Sequence, residues 1–375
     1  MKVIGIDAVT IIPGKGGAGG GIWTYAMNIL KTLDQQLSQV ESDIKIKVFV
    51  NKSFDLDLRH IDIIRIDLNT ESFLSRMMYV HFVVPSLCKK YQIDVLHKMT
   101  PEVPFFYKGK MVITIHDFMN DFYFEKGYNT NNVFQLLKLY YFKQIEKLAV
   151  KKSALIFTNS ISVTDELIRK YGNKNVLVTG PGNSLTEILV SCQKKTPICF
   201  CCVAGYYPHK GHMKVIELVE ILVSKYGLDI KLYFRGNPGY HKYFNSILDR
   251  IRQSSCKERI VIEDFVIQDS INEIYSNASI MILLSEYEGF GLPIIEAQAI
   301  GLPVICSDIS VLREVSGGYA CFVSLASMEN AARIVYDFLQ DEQAQNWNIA
   351  NGFTNVMRFQ CDKIAGQLLQ AYKSI

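Results

Sequence analysis

The sequence contains no uninterrupted apolar run near the roughly 18–20 residues a membrane-spanning helix needs, so no integral membrane segment is expected. The N-terminal stretch MKVIGIDAV has one lysine and reaches an acid at Asp7, too short an apolar run for a secretory leader. A cytoplasmic protein is expected, with any membrane contact peripheral. Low-complexity tracts and short-period repeats are also missing. The net charge of +3 is too small to suggest a nucleic-acid partner. Residues 1–190 hold 23 Lys+Arg against 18 Asp+Glu, a mildly basic front half that would suit an anionic membrane surface. None of the nine cysteines forms the paired C-x2-C arrangement of a zinc site, and their odd number points to a reducing compartment. Cys199, Cys201 and Cys202 fall in the apolar run ICFCCVAG, where cysteine serves as a small hydrophobe of a buried strand.

What is present is a soluble globular composition, 49% apolar and 21% charged, in a chain of 375 residues, enough for two domains with separate cores. Short runs rich in Val and Ile alternate with longer amphipathic stretches. Strands are predicted at 2–7, 45–50, 61–67, 94–97, 111–116, 153–158 and 175–179. A second series follows at 198–204, 229–234, 259–262, 279–284, 303–306 and 320–323. Helices are predicted near 22–36, 71–91, 132–151, 161–171, 210–226, 240–254, 269–277, 292–300 and 326–339. Strands apolar on both faces and separated by helices mark a parallel, doubly wound α/β architecture. The series divides near 182–197. Two Rossmann-like domains are therefore expected, 1–190 and 191–354, with a cleft between them. A polar, glycine-containing break at 346–353 precedes a last helical segment, 355–375.

The most informative stretch is 281–308, MILLSEYEGFGLPIIEAQAIGLPVICSD. A buried strand leads through EYEGFG into a helix starting near Leu292, where Pro293 suits the first turn because its missing N–H costs nothing there. Gly289 and Gly291 let the backbone approach a ligand, and helix-start amides form an anion site. Glu288 precedes the turn and Glu296 lies inside the helix. Ionised carboxylates beside a phosphate site make sense if they accept hydrogen bonds from sugar or ribose hydroxyls. The blander reading is two acids placed for the helix dipole.

Glu288-Gly-Phe-Gly-Leu-Pro-Ile-Ile-Glu296 resembles the E-x7-E signature of the retaining family 4 glycosyltransferases, which have the GT-B fold. DVLHKMTPEVP (94–104), VITIHDF (112–118), IFTNSISVTDEL (156–167), AGYYPHKGH (204–212) and EDFV (263–266) fit the same family in the same order. The resemblance implies two domains that clasp a nucleotide-diphosphate sugar, with the last helix, 355–375, crossing back onto the front one. It implies that Glu296 binds ribose hydroxyls and Glu288 the hydroxyls of the transferred sugar. Phe290, Gly291 and Leu292 would offer backbone N–H groups, with Val266 nearby, and Lys210 would neutralise the departing diphosphate. The family usually places an Arg about five residues before this Lys. Here Gly205, Tyr206 and Tyr207 stand instead, and Arg235 is the candidate substitute.

In the front half, Gly14-x-Gly16-x-x-Gly19 formally matches a dinucleotide fingerprint. The turn is too long, and no acid closes a second strand about 20 residues on. The family resemblance instead assigns the loop, with Gly20 and Gly21, to donor phosphate or acceptor. His116 ends the strand VITI at a carboxyl edge, where α/β sheets place ligands, and resembles the family's active-site histidine. Segment 132–152 mixes aromatics with Lys138, Lys143, Lys147, Lys151 and Lys152. That pattern suits either a membrane interface or a packed helix with snorkelling lysines. The expected function is retaining transfer of a hexose to a hydroxyl of a saccharide or lipid-linked saccharide, without a metal or other cofactor. Asp55-Leu-Asp57 lacks the context of a metal-binding D-x-D. A nucleotide-sugar epimerase or hydrolase, a non-catalytic nucleotide-sugar binder and, on the glycine match alone, a nicotinamide oxidoreductase are the rival readings.

Overall fold

The computed structural model describes residues 1–12, 20–39, 43–69, 72–128, 132–180, 182, 196–263, 274–275 and 278–375. The chain forms two compact units: Met1–Gly182 with Gln360–Ile375, and Asn183–Phe359. The first sheet contains β1 (Lys2–Asp7), β2 (Ile44–Asn51), β3 (Asp62–Ile66), β4 (Val95–Lys98), β5 (Lys110–Ile115), β6 (Leu155–Thr158) and β7 (Val176–Val178). Its spatial order is β3-β2-β1-β4-β5-β6-β7, parallel throughout. The second contains β8 (Ile198–Val203), β9 (Ile230–Arg235), β10 (Ile260–Glu263), β11 (Ile280–Leu283), β12 (Val304–Ser307) and β13 (Cys321–Val323). Its order is β10-β9-β8-β11-β12-β13, also parallel.

The alternation along each strand explains why both faces are covered. In β1 and β2, Ile4, Ile6, Ile46 and Val48 enter one apolar layer with Tyr25 and Ile29 of α1 (Gly21–Gln39), while Phe49 enters the opposite layer with Leu96, Ile113 and Ile115. Unit 2 repeats the scheme with separate apolar layers on its two sheet faces. Cys199, Cys201 and Cys202 are buried in β8. Among the described residues no helix is long and apolar enough to cross a membrane.

Two helical expectations are corrected. The single helix expected at 71–91 is α2 (Phe73–Met78) and α3 (Val84–Lys90), joined through a wider turn at Tyr79–Val83 in which the Val84 N–H reaches the Tyr79 carbonyl. Pro85 has no N–H to give the helical ladder, and the register widens just before it. The expected break at 346–353 is instead inside a helix, Glu342–Val356, capped by the Asp341 carboxylate accepting from the Ala344 N–H at 2.9 Å. Gly352 sits there because a Cβ would lie 3.0 Å from the Gln298 side chain, so its small size marks close packing and not a turn. Short helices at Met119–Glu125 and Ser310–Val315 were not foreseen, being too brief to show a period. Of the helix expected at 269–277, only 274 and 275 are described.

The remaining helices are Val133–Lys152, Ile161–Tyr171, His212–Tyr226, His241–Arg252, Leu292–Ala299 and Met328–Gln340. The terminal helix, Cys361–Ser374, buries Ile364, Leu368 and Tyr372, one residue per turn, in the unit 1 core against α1. Lys2 Nζ donates to the carbonyls of Tyr372 and Lys373 at its end, both at 3.1 Å.

Candidate active site

In unit 2 the chain leaves β8 toward β9 and β10, then returns to place β11 on the other side of β8. The carboxyl ends of β8 and β11 therefore flank a topological switch point, the place where open α/β sheets bind ligands. Lys210 lies in the turn after β8, and Glu288 in the loop after β11. The two loops are stitched together: the Glu286 N–H donates to the His209 carbonyl at 2.8 Å. Gly211 adopts φ +71°, and a Cβ on it would lie 1.9 Å from the Leu284 carbonyl oxygen. Only glycine fits there.

This stitching brings Lys210 Nζ within 2.7 and 2.8 Å of the two Glu288 carboxylate oxygens. The Ser285 hydroxyl donates to Glu288 Oε1 at 2.8 Å, and the Ser307 hydroxyl donates in turn to the Ser285 carbonyl. Both serines are fully buried. Lys210 is followed by the helix His212–Tyr226, whose N-terminus adds a partial positive charge beside the ammonium. His209 and His212 are buried close to Lys210. Burial foremost, with the lysine charge adding to it, pushes their pKa values down to about 2 and about 3, so both rings are neutral.

Phe290, Gly291 and Leu292 lead into the helix Leu292–Ala299, with Gly291 at φ +102° and Pro293 in the first turn. Pro293 has no N–H and the Ile294 N–H donates to the Gly291 carbonyl at 3.0 Å, so within the first turn the Leu292 N–H is the one that could face an anion. Glu296 lies farther along the helix and accepts from the Tyr275 hydroxyl at 3.1 Å. The residue as a whole is half-buried, and burial of its carboxyl pushes the pKa above the ordinary glutamate value, with the Tyr275 hydrogen bond opposing. Among the described residues Glu288 and Glu296 share no hydrogen-bond partner: one is held by Lys210 and Ser285, the other by Tyr275.

Arg235 ends β9 with its Nε 3.3 Å from Glu263 Oε2, across the β9–β10 register that pairs these residues. Its charge is thus partnered by Glu263. Tyr206, one of the three residues standing where the resemblance leads one to expect an Arg, is buried, its ring centroid 4.9 Å from that of His212 and 4.7 Å from that of Phe244. Val266 lies outside the described residues, as do Gly14, Gly16 and Gly19.

Gly20, Gly21 and His116 belong to unit 1. Gly20 and Gly21 are exposed at the start of α1, where the Gly20 carbonyl accepts from the Thr24 N–H at 3.1 Å. His116 follows β5 and is buried. Its Nε2 lies 2.9 Å from the Met99 carbonyl, which fixes the proton on Nε2, and Asn159 Nδ2 donates to Nδ1 at 3.1 Å. Burial lowers its pKa, with the Met99 carbonyl and Asp117 opposing, so the ring is neutral at pH 7. Both ring nitrogens are engaged within the protein. Sequence reasoning missed Ser285, Tyr275 and Asn159. Ser285 lay three residues before Glu288 and was findable; Tyr275 and Asn159 reach their partners from 21 and 43 residues away with no local signature.

Two parallel α/β units, the second carrying a lysine, two glutamates and a helix start at its switch-point edge, define a GT-B glycosyltransferase architecture. The model of the glycosyl transferases group 1 matches residues 186–353, and that of Glycosyltransferase Family 4 matches residues 19–182. The chain belongs to the family 4 glycosyltransferases. It is 25% identical over 319 residues to the O-antigen chain mannosyltransferase RfbU of Salmonella typhimurium, covering 82% of this chain and 84% of that one. In fold it is similar to a sucrose-phosphate synthase from Thermosynechococcus elongatus (TM-score 0.82, 15% identity, 100% and 99% of the two chains). It is likewise similar to Anabaena HepE, solved in complex with UDP-glucose (TM-score 0.74, 15% identity, 100% of both chains).

Proposed function

We propose that this protein is a retaining, metal-independent transferase that moves a hexose from a nucleoside-diphosphate sugar to a hydroxyl of a saccharide or lipid-linked saccharide in surface-polysaccharide assembly. The observation that carries the donor assignment is Lys210 and Glu288 meeting at the switch point of unit 2, beside the helix start at Leu292. The O-antigen role of the Salmonella relative supports a polysaccharide acceptor and favours a mannosyl donor. The UDP-glucose in the HepE complex supports a nucleotide sugar as the co-substrate. Glu296 accepts from ribose hydroxyls, Glu288 accepts from hydroxyls of the sugar, and Lys210 with the amides of Phe290, Gly291 and Leu292 holds the diphosphate. As the bond from the anomeric carbon to the leaving phosphate breaks, the acceptor oxygen bonds that carbon on the same face. The acceptor proton passes to the leaving phosphate oxygen. His116, neutral and engaged at both nitrogens, acts here as a positioning residue. Arg235 is the candidate second cation, and its pair with Glu263 would have to open for it to serve, as the Lys210–Glu288 pair must.

Peripheral membrane attachment belongs to the same proposal. The first half of the helix Val133–Lys152 leaves Val133, Phe134, Leu137 and Tyr140 exposed, and only its second half supplies buried residues. Phe73 joins this face to α2, with ring centroids 6.3 Å from Phe134, and Lys138 Nζ lies 5.7 Å from the Phe73 ring. Leu74, Met78 and Phe82 extend the exposed apolar surface. Apolar side chains flanked by lysines suit an anionic lipid surface.

The test is product analysis with candidate nucleotide sugars and a polysaccharide-precursor acceptor. Nucleoside diphosphate and a glycosylated acceptor with the donor's anomeric configuration are expected. Free or epimerised sugar alone would overturn transfer; an inverted linkage would overturn retention.

A further inference from the structure

We propose that Lys210 and Glu288 exchange partners when donor binds, and that this exchange makes the site prefer the intact nucleotide sugar to the bare nucleoside diphosphate left after transfer. The inference rests on the donor assignment made above.

In the protein as it stands, the ammonium contacts both carboxylate oxygens, at 2.7 and 2.8 Å, and each side chain is largely shielded: Lys210 is 22% exposed and Glu288 7%. The partners are not equally mobile. Glu288 is tied to the fully buried Ser285, whose carbonyl is fixed by the fully buried Ser307. Lys210 hangs on four methylenes. An arriving diphosphate therefore draws the ammonium away, while Glu288 stays on Ser285.

What happens next depends on the rest of the ligand. A carboxylate stripped of its counterion in a shielded site is costly unless new donors replace the ammonium. The hydroxyls of a transferable sugar are such donors, so an intact donor satisfies both members of the broken pair. A bare nucleoside diphosphate satisfies only Lys210 and sets its negative charge beside an uncompensated Glu288. Once the sugar has left, re-formation of the Lys210–Glu288 pair competes with the product and speeds its release. Glu288 is thus a specificity-determining residue as well as a contact to the sugar.

Glu288→Gln keeps the shape and removes the need for a counterion. Calorimetric titration with UDP, GDP, ADP and dTDP identifies the nucleotide that wild type binds. For that nucleotide, Glu288→Gln is expected to tighten binding at least about fivefold, a charge-pair effect of ordinary size, and to shrink the preference for the matching nucleotide sugar. Lys210→Met is expected to weaken nucleotide binding, and the gain from Glu288→Gln should shrink in the double variant, where no ion pair has to be broken. A gain undiminished without Lys210 would reduce the effect to simple charge repulsion and overturn the exchange. Unchanged or weaker nucleotide binding by Glu288→Gln would overturn it too. Different outcomes bear on the underlying reading: no nucleotide binding by wild type, or none lost in Lys210→Met, would remove the donor site itself. Should Glu288→Gln not fold, the wild-type lysine-ammonium NMR signal assigned by its loss in Lys210→Met decides the matter. That signal must shift on nucleotide addition, and a bound nucleotide that leaves it unmoved sinks the proposal.

Discussion

At Gly211 a single methyl group is enough to test the local architecture. The residue combines a left-handed φ with a Cβ position 1.9 Å from the Leu284 carbonyl oxygen. Gly211→Ala is therefore expected to destabilise unit 2 by at least about 2 kcal/mol, from backbone strain and clash together. It should also weaken nucleotide binding by moving Lys210, as urea denaturation and calorimetry would show. Glu296 offers a pH test. Because burial raises its folded pKa, the folded protein binds this proton more tightly than the unfolded chain. Stability contributed by Glu296 is thus present below the ordinary glutamate range and lost as pH rises through the raised folded value. Donor affinity runs the opposite way, since the ionised carboxylate is what accepts ribose hydroxyls. Affinity should fall on acidification from a higher pH than an ordinary glutamate would give. Glu296→Gln should weaken donor binding at least about tenfold, flatten that acid limb, and leave the protein no less stable at pH 7. Calorimetry and denaturation at several pH values read all three.

At the scale of elements, the terminal helix is held by its apolar stripe and by polar contacts, of which the Tyr372–His97 one is buried. Leu368 is fully buried, so Leu368→Ala is expected to cost about 3 kcal/mol. The Tyr372 hydroxyl lies 2.5 Å from His97 Nδ1, and His97 Nε2 lies 2.9 Å from Thr114 Oγ1. Burial keeps His97 neutral, its pKa pushed down to about 3. Tyr372→Phe strands a buried ring nitrogen and should cost about 1–3 kcal/mol in unit 1 stability. The strands were legible because runs such as VITI and ICFCCV are apolar on both faces and bounded by polar turns. Glu342–Val356 was not legible, because Gly352 reads locally as a break and only its contact with Gln298 shows why a glycine is there. The interruption at Tyr79–Val83 carried a visible cue in Pro85 that periodicity alone overrode.

Across the whole molecule, the sequence disclosed the α/β repeat and the segment that forms the candidate site, because E-x7-E places both acids on one loop and helix. The pairing of Lys210 with Glu288 across 78 residues was hidden, since sheet order and not spacing brings the ends of β8 and β11 together. The same limit concealed the Glu263 contact that occupies Arg235. With positive charge supplied by Lys210 and helix amides, turnover should survive a strong chelator unchanged; loss restored by a divalent cation would refute metal independence. Phe134→Glu with Leu137→Glu should lower co-sedimentation with phosphatidylglycerol vesicles severalfold while leaving stability within about 0.5 kcal/mol, because both side chains are exposed. Equal binding by wild type and variant would exclude this surface.

The most direct measurement is a crystal structure with the bound nucleoside-diphosphate sugar. Diphosphate oxygens should lie within hydrogen-bond distance of Lys210 Nζ and the Gly291–Leu292 amides, with Glu296 on the ribose and Glu288 on the sugar. A donor seated elsewhere, with Lys210 still held by Glu288, would contradict the account.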